Sequence, residues 1–413
     1  MALAARLLYV SLVEPVRVQS DASGYDAAAR RLGATGTYAF PLGKALWSDD
    51  VFREDAWAAY LRMPSNAWSM PGYSGFLAFV YRLSGPGRYG AVRLVQALLG
   101  AATLALIFFV ADAALGRRAA WMALGLNALY PPSYWAATYL LTETLFTLLL
   151  VAQVALMVWA ARSRRVVAYA VLGLATAAAV YVRPMAALVP ALLIACEAHR
   201  WFRDPAPRQS LRRHAVRFAV LAMVVVALMA PWWMRNMRLY GVFMPTTSAA
   251  ALPAAQGELI LRRLPVPDES YAQSALPALT GYDDRVYATL VARQIRATMP
   301  PASPVDLAAA RLSQLRMLGY ALFSPFNFFS ERYPMLSWQV AMQVAILAFG
   351  LVGLWRNRRR PEATWLVAAV AAYVVLVHWQ LSMLLSRYLY PAMPLVLALA
   401  GAGIEVLLPG GRR

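Results

Sequence analysis

Leu140-Leu141-Thr142-Glu143-Thr144-Leu145-Phe146 opens a stretch that stays almost purely apolar as far as Ala161. Its reading decides the class of fold. At about 1.5 Å per residue it covers roughly the 30 Å of a bilayer's hydrocarbon core. Lipid offers no partner to a backbone N–H or C=O, so such a run must be a helix that satisfies its own backbone. Glu143 is the exception, at the outer end of the span. A carboxylate inside a bilayer costs roughly 2.5 to 3.5 kcal/mol on insertion scales, so such acids face protein or water and mark a functional path. A solvated, merely tolerated acid at the lipid boundary is the competing reading.

Outward from this span the pattern recurs. Runs of spanning length cover Tyr89–Leu115, Ala119–Tyr139, Val166–Val182, Pro184–Trp201, Ala215–Trp233, Leu336–Trp355, Ala363–Met383 and Leu389–Leu408. With 61% hydrophobic and 14% charged residues among 413, the chain is too apolar for a water-soluble domain. Met1–Val13 is apolar but covers only about 20 Å, and reads as a short first helix. A cleaved signal peptide is the alternative; against it stand the absence of a basic leader beyond Arg6 and of a clear small-residue cleavage site. The expectation is an all-α polytopic membrane protein with about ten transmembrane helices.

Arginines orient the bundle, because basic residues in short loops stay on the cytoplasmic side. Arg117-Arg118, Arg162 with Arg164-Arg165, Arg200 through Arg217, Arg356 with Arg358 to Arg360, and Arg412-Arg413 all fall on one side if Met1–Val13 is a span. Both termini are then inside. The same placement accounts for a net charge of +19, which in a soluble chain would suggest nucleic acid and here does not. Lys44 is the only lysine, a bias to which no function is attached. Cys196 is alone, so no intrachain disulfide forms. His199, His214 and His378 show no zinc-like spacing, and the sequence gives no support for a divalent metal or any other cofactor.

Two polar regions fall on the outer face. The first, Glu14 to Met70, carries Asp21, Asp26, Asp49, Asp50, Glu54 and Asp55 and reads as two or three helices on the membrane surface. Within it Asp21 and Ser23 precede Tyr25, Ala28, Ala29 and Leu32, one apolar helical face. Asp or Ser before a helix is ordinarily its cap, and catalysis is the other reading of Asp21. The second region, Arg235 to Pro334, is large enough for a small helical subdomain. Ser303-Pro304-Val305-Asp306 is a helix start with a capping hydroxyl, proline at the first position and an acid reaching back. Leu307, Leu315, Leu318 and Leu322 follow at near-helical spacing and end before Pro325. Asp283-Asp284 opens a similar helix through Ile295. Phe323, Phe326, Phe328, Phe329 and Tyr333 read as rings at the bilayer boundary. The expected division is a transmembrane module over 1–234 with an outer loop at 14–88, an extracytoplasmic subdomain over 235–335, and transmembrane helices over 336–413.

Three arginines oppose the positive-inside tendency: Arg183 before Pro184, Arg235 after Trp232-Trp233, and Arg387 before Tyr388. Each alone could snorkel to headgroups. Three on the same face as Asp21 and Glu143 point to an anionic ligand.

Asp21-x-x-x-Tyr25 with Ala28 and Leu32, Pro71-Gly72-Tyr73 with Phe76-Leu77, and Val92-Arg93-Leu94 resemble the start of the bacterial GT-C glycosyltransferases. Leu141 to Phe146, Arg183-Pro184, Pro231-Trp232 with Arg235-Asn236 and Gly241, and Arg387-Tyr388 with Pro391 and Pro394 continue the resemblance in order along nearly the whole chain. The branch is that of the protein O-mannosyltransferases (family 39) and lipid A aminoarabinose transferases. The resemblance places Pro71 on a surface helix and extends the outer loop to about Arg88.

It implies a GT-C fold in a bacterial inner membrane, with the active site on the extracytoplasmic side. It also implies an inverting enzyme that moves a sugar from a polyprenyl-phosphate donor to a hydroxyl acceptor of the cell envelope, in contact with membrane lipid and with no nucleic acid. Asp21 would be the general base, and Arg183, Arg235 and Arg387 the clamp on the departing phosphate. Glu143 would orient the acceptor or hold a basic side chain, and Tyr25, Asn236 and Tyr388 would complete the substrate site. Ser69-Met70 stands where relatives often carry a basic residue ahead of the proline, so one phosphate contact is missing or replaced. A lipid-linked sugar transporter and a noncatalytic assembly subunit are the other classes compatible with such a chain; the absence of internal repeats and the placing of the charges at span ends argue against transport.

Overall fold

The computed structural model describes residues 2–13, 21–41, 52–203, 211–261, 292–325 apart from 294, 298 and 302, 336–358, 361–381 and 384–407. Asp283-Asp284, Asp49-Asp50 and the rings of Phe326, Phe328, Phe329 and Tyr333 lie outside these residues. The described elements are helical: α1 (Ala2–Leu12), α2 (Asp21–Thr35), α3 (Glu54–Arg62), α4 (Gly72–Ser84), α5 (Tyr89–Ala114), α6 (Arg117–Leu129), α7 (Pro131–Ala136), α8 (Glu143–Ser163) and α9 (Val166–Val182). They continue as α10 (Val189–Arg203), α11 (Leu211–Tyr240), α12 (Leu252–Leu261), α13 (Pro304–Phe323), α14 (Ser337–Arg356), α15 (Pro361–Gln380), α16 (Ser386–Leu389) and α17 (Met393–Ile404), with short 3-10 turns between some of them.

Among the described residues, six helical segments are long and apolar enough to cross a bilayer: α5, α8, α11, α14, α15 and the run from α16 through α17. The other four expected spans correspond to the shorter helices α1, α6, α9 and α10. Two of these end at a residue that precedes proline, and α6 is thereby shorter than expected. Tyr130 precedes Pro131 and is extended (φ −70°, ψ 107°), which ends α6 at Leu129. Residues 137–142 then form turns leading into α8. Arg183 precedes Pro184 and is likewise extended (φ −143°, ψ 121°), which ends α9 and turns the Arg183 side chain off the helix.

The core is built around α8, whose Phe146, Leu150, Val154 and Met157 pack with Ile107 of α5, Leu172 of α9 and Leu395 of α17 in one buried cluster. The first apolar segment belongs to this bundle. Arg6 is buried and donates to the carbonyl (3.3 Å) and hydroxyl (2.9 Å) of Ser133, with its guanidinium 4.7 Å from the Tyr134 ring. Val10 packs on Ala97 and Ala137.

Between α1 and α5 lie three helices, α2, α3 and α4. Asp26 of α2 is fully buried and accepts from Arg30 (3.0 Å), Tyr81 (2.6 Å) and Tyr89 (2.7 Å), tying α2 to α4 and α5. Arg31 donates to the carbonyls of Tyr60 (2.9 Å) and Met63 (2.7 Å) and holds the end of α3. In the second outer region, α13 starts with the reciprocal cap expected of Ser303 and Asp306. α11 continues without a break through the expected boundary at 234/235, carrying Pro231 in its interior.

Where helices cross closely, glycine removes the obstacle. A Cβ on Gly403 would overlap the Phe349 carbonyl oxygen, and one on Gly353 that of Leu399, so α14 and α17 meet backbone to backbone. Gly403→Ala is therefore expected to lower stability by about 1–3 kcal/mol. A lower melting temperature of the detergent-solubilised protein checks this, with Gly125→Ala, which meets nothing within 4 Å, as the neutral control.

Candidate active site

Glu143 is the first residue of α8, where unpaired backbone N–H groups and the helix dipole favour a carboxylate. The turn that delivers it is pinned from below. Gln96 of α5 donates to the carbonyls of Ala137 (3.0 Å) and Tyr139 (2.8 Å) while accepting from the Tyr73 hydroxyl (3.0 Å). Across from this turn, the extended Arg183 directs Nη2 to Glu143 Oε1 (2.6 Å) and Nε to the Thr142 hydroxyl (2.9 Å). The Glu143 side chain is 2% exposed and that of Arg183 13%. A buried ion pair of this geometry is expensive to break from one side only. Arg183 Nη1 is buried and has no hydrogen-bond partner among the described residues. Gly72 lets α4 approach this point: a Cβ there would overlap the carbonyl oxygen of Tyr181, two residues before Arg183.

The second acid is the first residue of α2. Arg387, on the short α16, donates from Nη2 to Asp21 Oδ2 (2.8 Å) and to the Tyr388 hydroxyl (2.9 Å). Here the arginine is the buried partner, 9% exposed, whereas the Asp21 side chain is 36% exposed. Tyr388 joins the two pairs. Its ring has the Arg387 guanidinium 4.8 Å and the Arg183 guanidinium 5.7 Å from its centroid, and stacks on His378 at 5.2 Å.

Tyr25 sits one turn beyond Asp21, on the same face of α2. Its ring meets those of Tyr73 (5.1 Å) and Phe40 (5.5 Å) edge to face. Burial first, and then the charge of Asp21, push the hydroxyl well above the ordinary tyrosine range, so it remains a donor. The charges of Glu143 and Arg183 also act on it, which sets α2, α8 and α9 around one locus.

The structure thus brings together Asp21, Tyr25, Glu143, Arg183, Arg387 and Tyr388. Arg235 and Asn236 stand in an adjoining network. Arg235 Nη2 donates to the carbonyls of Tyr38 (2.8 Å) and Asn66 (3.0 Å), and Nη1 to the Asn236 amide oxygen (3.1 Å). Asn236 is fully buried and donates to the Met244 carbonyl (3.5 Å). Arg235 thus fastens the loop carrying Tyr38 and Asn66 to α11, and Asn236 holds Arg235 and the chain just beyond α11. The connection to the acids is indirect: the Tyr38 hydroxyl donates to the Ser69 carbonyl (3.0 Å), just ahead of α4, whose Tyr73 ring packs on Tyr25.

Sequence reading alone missed Thr142, Gln96 and His378 as neighbours of this site. Gln96 and His378 had a signal, as polar side chains inside apolar runs. Among the described residues no group of three or more His, Cys, Asp or Glu side chains is placed to hold a metal ion.

Residues 69–235 match the model of the dolichyl-phosphate-mannose-protein mannosyltransferase family. That segment contains Glu143, Arg183 and Arg235; Asp21 and Arg387 lie outside it. No curated protein matches the chain at a significant level. Among solved structures, the apo oligosaccharyltransferase of Archaeoglobus fulgidus superposes with a TM-score of 0.59 at 13% identity, covering 98% of this chain and 50% of that one. The same organism's AglB, in complex with an inhibitory peptide and a dolichol-phosphate, gives 0.57 at 12% identity, covering 98% and 50%. ArnT from Cupriavidus metallidurans, bound to undecaprenyl phosphate, gives 0.44 at 17% identity, covering 98% and 77%. The chain spans about half the length of the archaeal structures it matches. It is a membrane protein of the GT-C fold, similar over residues 69–235 to the dolichyl-phosphate-mannose-protein mannosyltransferases.

Proposed function

We propose that this chain is an inverting glycosyltransferase that moves a sugar from a polyprenyl-phosphate donor to a hydroxyl acceptor at the outer face of the membrane. The observation that carries the reading is the pairing of two acids with two arginines around Tyr388, with a buried guanidinium nitrogen of Arg183 left without a partner. A phosphate oxygen is the natural acceptor for that nitrogen. The dolichol-phosphate of the archaeal complex supports a lipid-phosphate donor by likeness of fold.

In this mechanism the acceptor oxygen attacks the anomeric carbon as Asp21, the more exposed acid, takes its proton. The bond from that carbon to the phosphate oxygen breaks, and its electron pair leaves with polyprenyl phosphate. Arg183 and Arg387 stabilise the charge that gathers there. Glu143 is a positioning residue: its carboxylate orients Arg183. Tyr25 keeps its proton and donates in the same locus. Arg235 supports the site by fixing the loop between Tyr38 and Asn66, and Asn236 orients Arg235.

The direct test is release of polyprenyl phosphate from a lipid-linked sugar by the reconstituted protein in the presence of acceptor. Translocation of intact lipid-linked sugar without its cleavage would instead make the protein a transporter, and neither activity would leave an assembly role. Arg387→Ala is expected to raise the apparent KM for the donor about tenfold or more with little change for the acceptor, because a guanidinium hydrogen bond to a charged group is worth about 1.5–3 kcal/mol. Equal effects on both KM values would remove Arg387 from the phosphate clamp.

A further inference from the structure

α8 ends, and α9 and α11 begin, at the end of the bundle opposite the two acids, about 26 Å along α9 from Arg183. There the helices enclose a cleft of about 470 Å³ lined by Arg164, Arg212, Arg213, Arg217, Val166 and Val216. At about 30 Å³ per water, this volume is ample for two phosphate groups. Arg217 is buried in its wall, Arg164 is half-buried, and Arg212 and Arg213 are exposed at its mouth. Arg164 has φ +54°, the left-handed conformation that a helix end ordinarily gives to glycine or asparagine. An arginine is held there at a conformational cost. Two neighbouring basic side chains have partners of their own: Arg162 donates to the Ala113 carbonyl, and His214 meets Glu197 (3.0 Å), which also accepts from Tyr169 (2.5 Å). Val166 and Val216 present apolar surface at the same rim, 44% and 46% exposed.

Four guanidiniums at a helix end beside exposed valines match a phosphate headgroup with its acyl chains alongside. We infer that this cleft binds the headgroup of an anionic phospholipid, a diphosphatidyl lipid above others, in the leaflet opposite the two acids. Basic pockets between helices on the cytoplasmic side are suited to such headgroups, and the guanidiniums of Arg164, Arg212 and Arg213 suffice to meet two phosphates. The site is independent of the sugar-transfer reading.

The test uses the full chain in detergent, with lipid retention followed by native mass spectrometry against cardiolipin, phosphatidylglycerol and phosphatidylethanolamine. One cardiolipin should be retained in preference to the others, and less so as salt is raised. With each basic residue near a charged surface worth about fivefold in affinity, Arg212→Ala with Arg213→Ala should weaken cardiolipin retention about thirtyfold. Arg356→Ala with Arg358→Ala, at another cluster on the same face, should leave it unchanged. The pair Arg212→Lys with Arg213→Lys keeps the charge and should bind between wild type and the alanine pair, which separates lost contacts from lost folding. Unchanged retention in the alanine pair, equal loss in the Arg356 and Arg358 control, or equal retention of phosphatidylethanolamine would overturn the site. Displacement by pyrophosphate as effectively as by cardiolipin would overturn the lipid assignment in favour of a soluble anion.

Discussion

Asp21→Asn is expected to cut sugar transfer by about 10²- to 10⁴-fold, the usual worth of general-base assistance, while the protein stays folded in the membrane. The amide keeps the shape of the carboxylate and can still accept from Arg387 through its carbonyl oxygen, so the 2.8 Å contact survives. The buried charge at stake is that of Arg387, 9% exposed, and the amide oxygen still gives its guanidinium an acceptor. What the amide cannot do is take a proton from the attacking hydroxyl. Transfer measured in proteoliposomes with a lipid-linked sugar, beside the melting temperature, separates the two effects. Asp26→Asn is the informative contrast, since Asp26 is fully buried among Arg30, Tyr81 and Tyr89 and its change should act on stability. Full activity of Asp21→Asn would refute the assignment of the base.

Arg183→Ala is the second large effect, expected on stability and on transfer together. It strands the Glu143 carboxylate, 2% exposed, without its 2.6 Å partner. Removing one member of a buried pair typically costs about 3–5 kcal/mol because a charge is left uncompensated. Adding Glu143→Gln should recover part of that loss, with a coupling of about 0.5–3 kcal/mol between the two sites. Recovery of transfer is not expected, because the guanidinium nitrogen proposed to meet the donor phosphate is gone from both variants. Denaturation midpoints give the coupling, and donor turnover gives the catalytic part. A double variant that regained both would reduce Arg183 to a counter-ion for Glu143.

The spans around the quoted glutamate, the capping box at Ser303 and the helices between α1 and α5 were all legible in the chain. These features depend on local chemistry: apolar length, a hydroxyl and an acid three residues apart, a proline after an arginine. Helix ends were less legible. The run from Ala119 to Tyr139 reads as one span by hydropathy, yet Pro131-Pro132 closes α6 at Leu129, because the residue before a proline is driven out of the helical region.

Sequence reading picked out Glu143, Arg183, Arg235 and Arg387 as charges out of place at span ends, and Asp21 from its position ahead of Tyr25 in the first polar region. Which charge meets which was decided by the folded chain. Asp21 and Arg387 are 366 residues apart and touch at 2.8 Å, whereas Arg235 turns to the carbonyls of Tyr38 and Asn66. Hydropathy carries no information about direction around a helix axis or about which helix ends become neighbours. Packing around α8, the close α14–α17 crossing at glycine and the turn held by Gln96 supply that information, and so separate a site from a scatter of arginines.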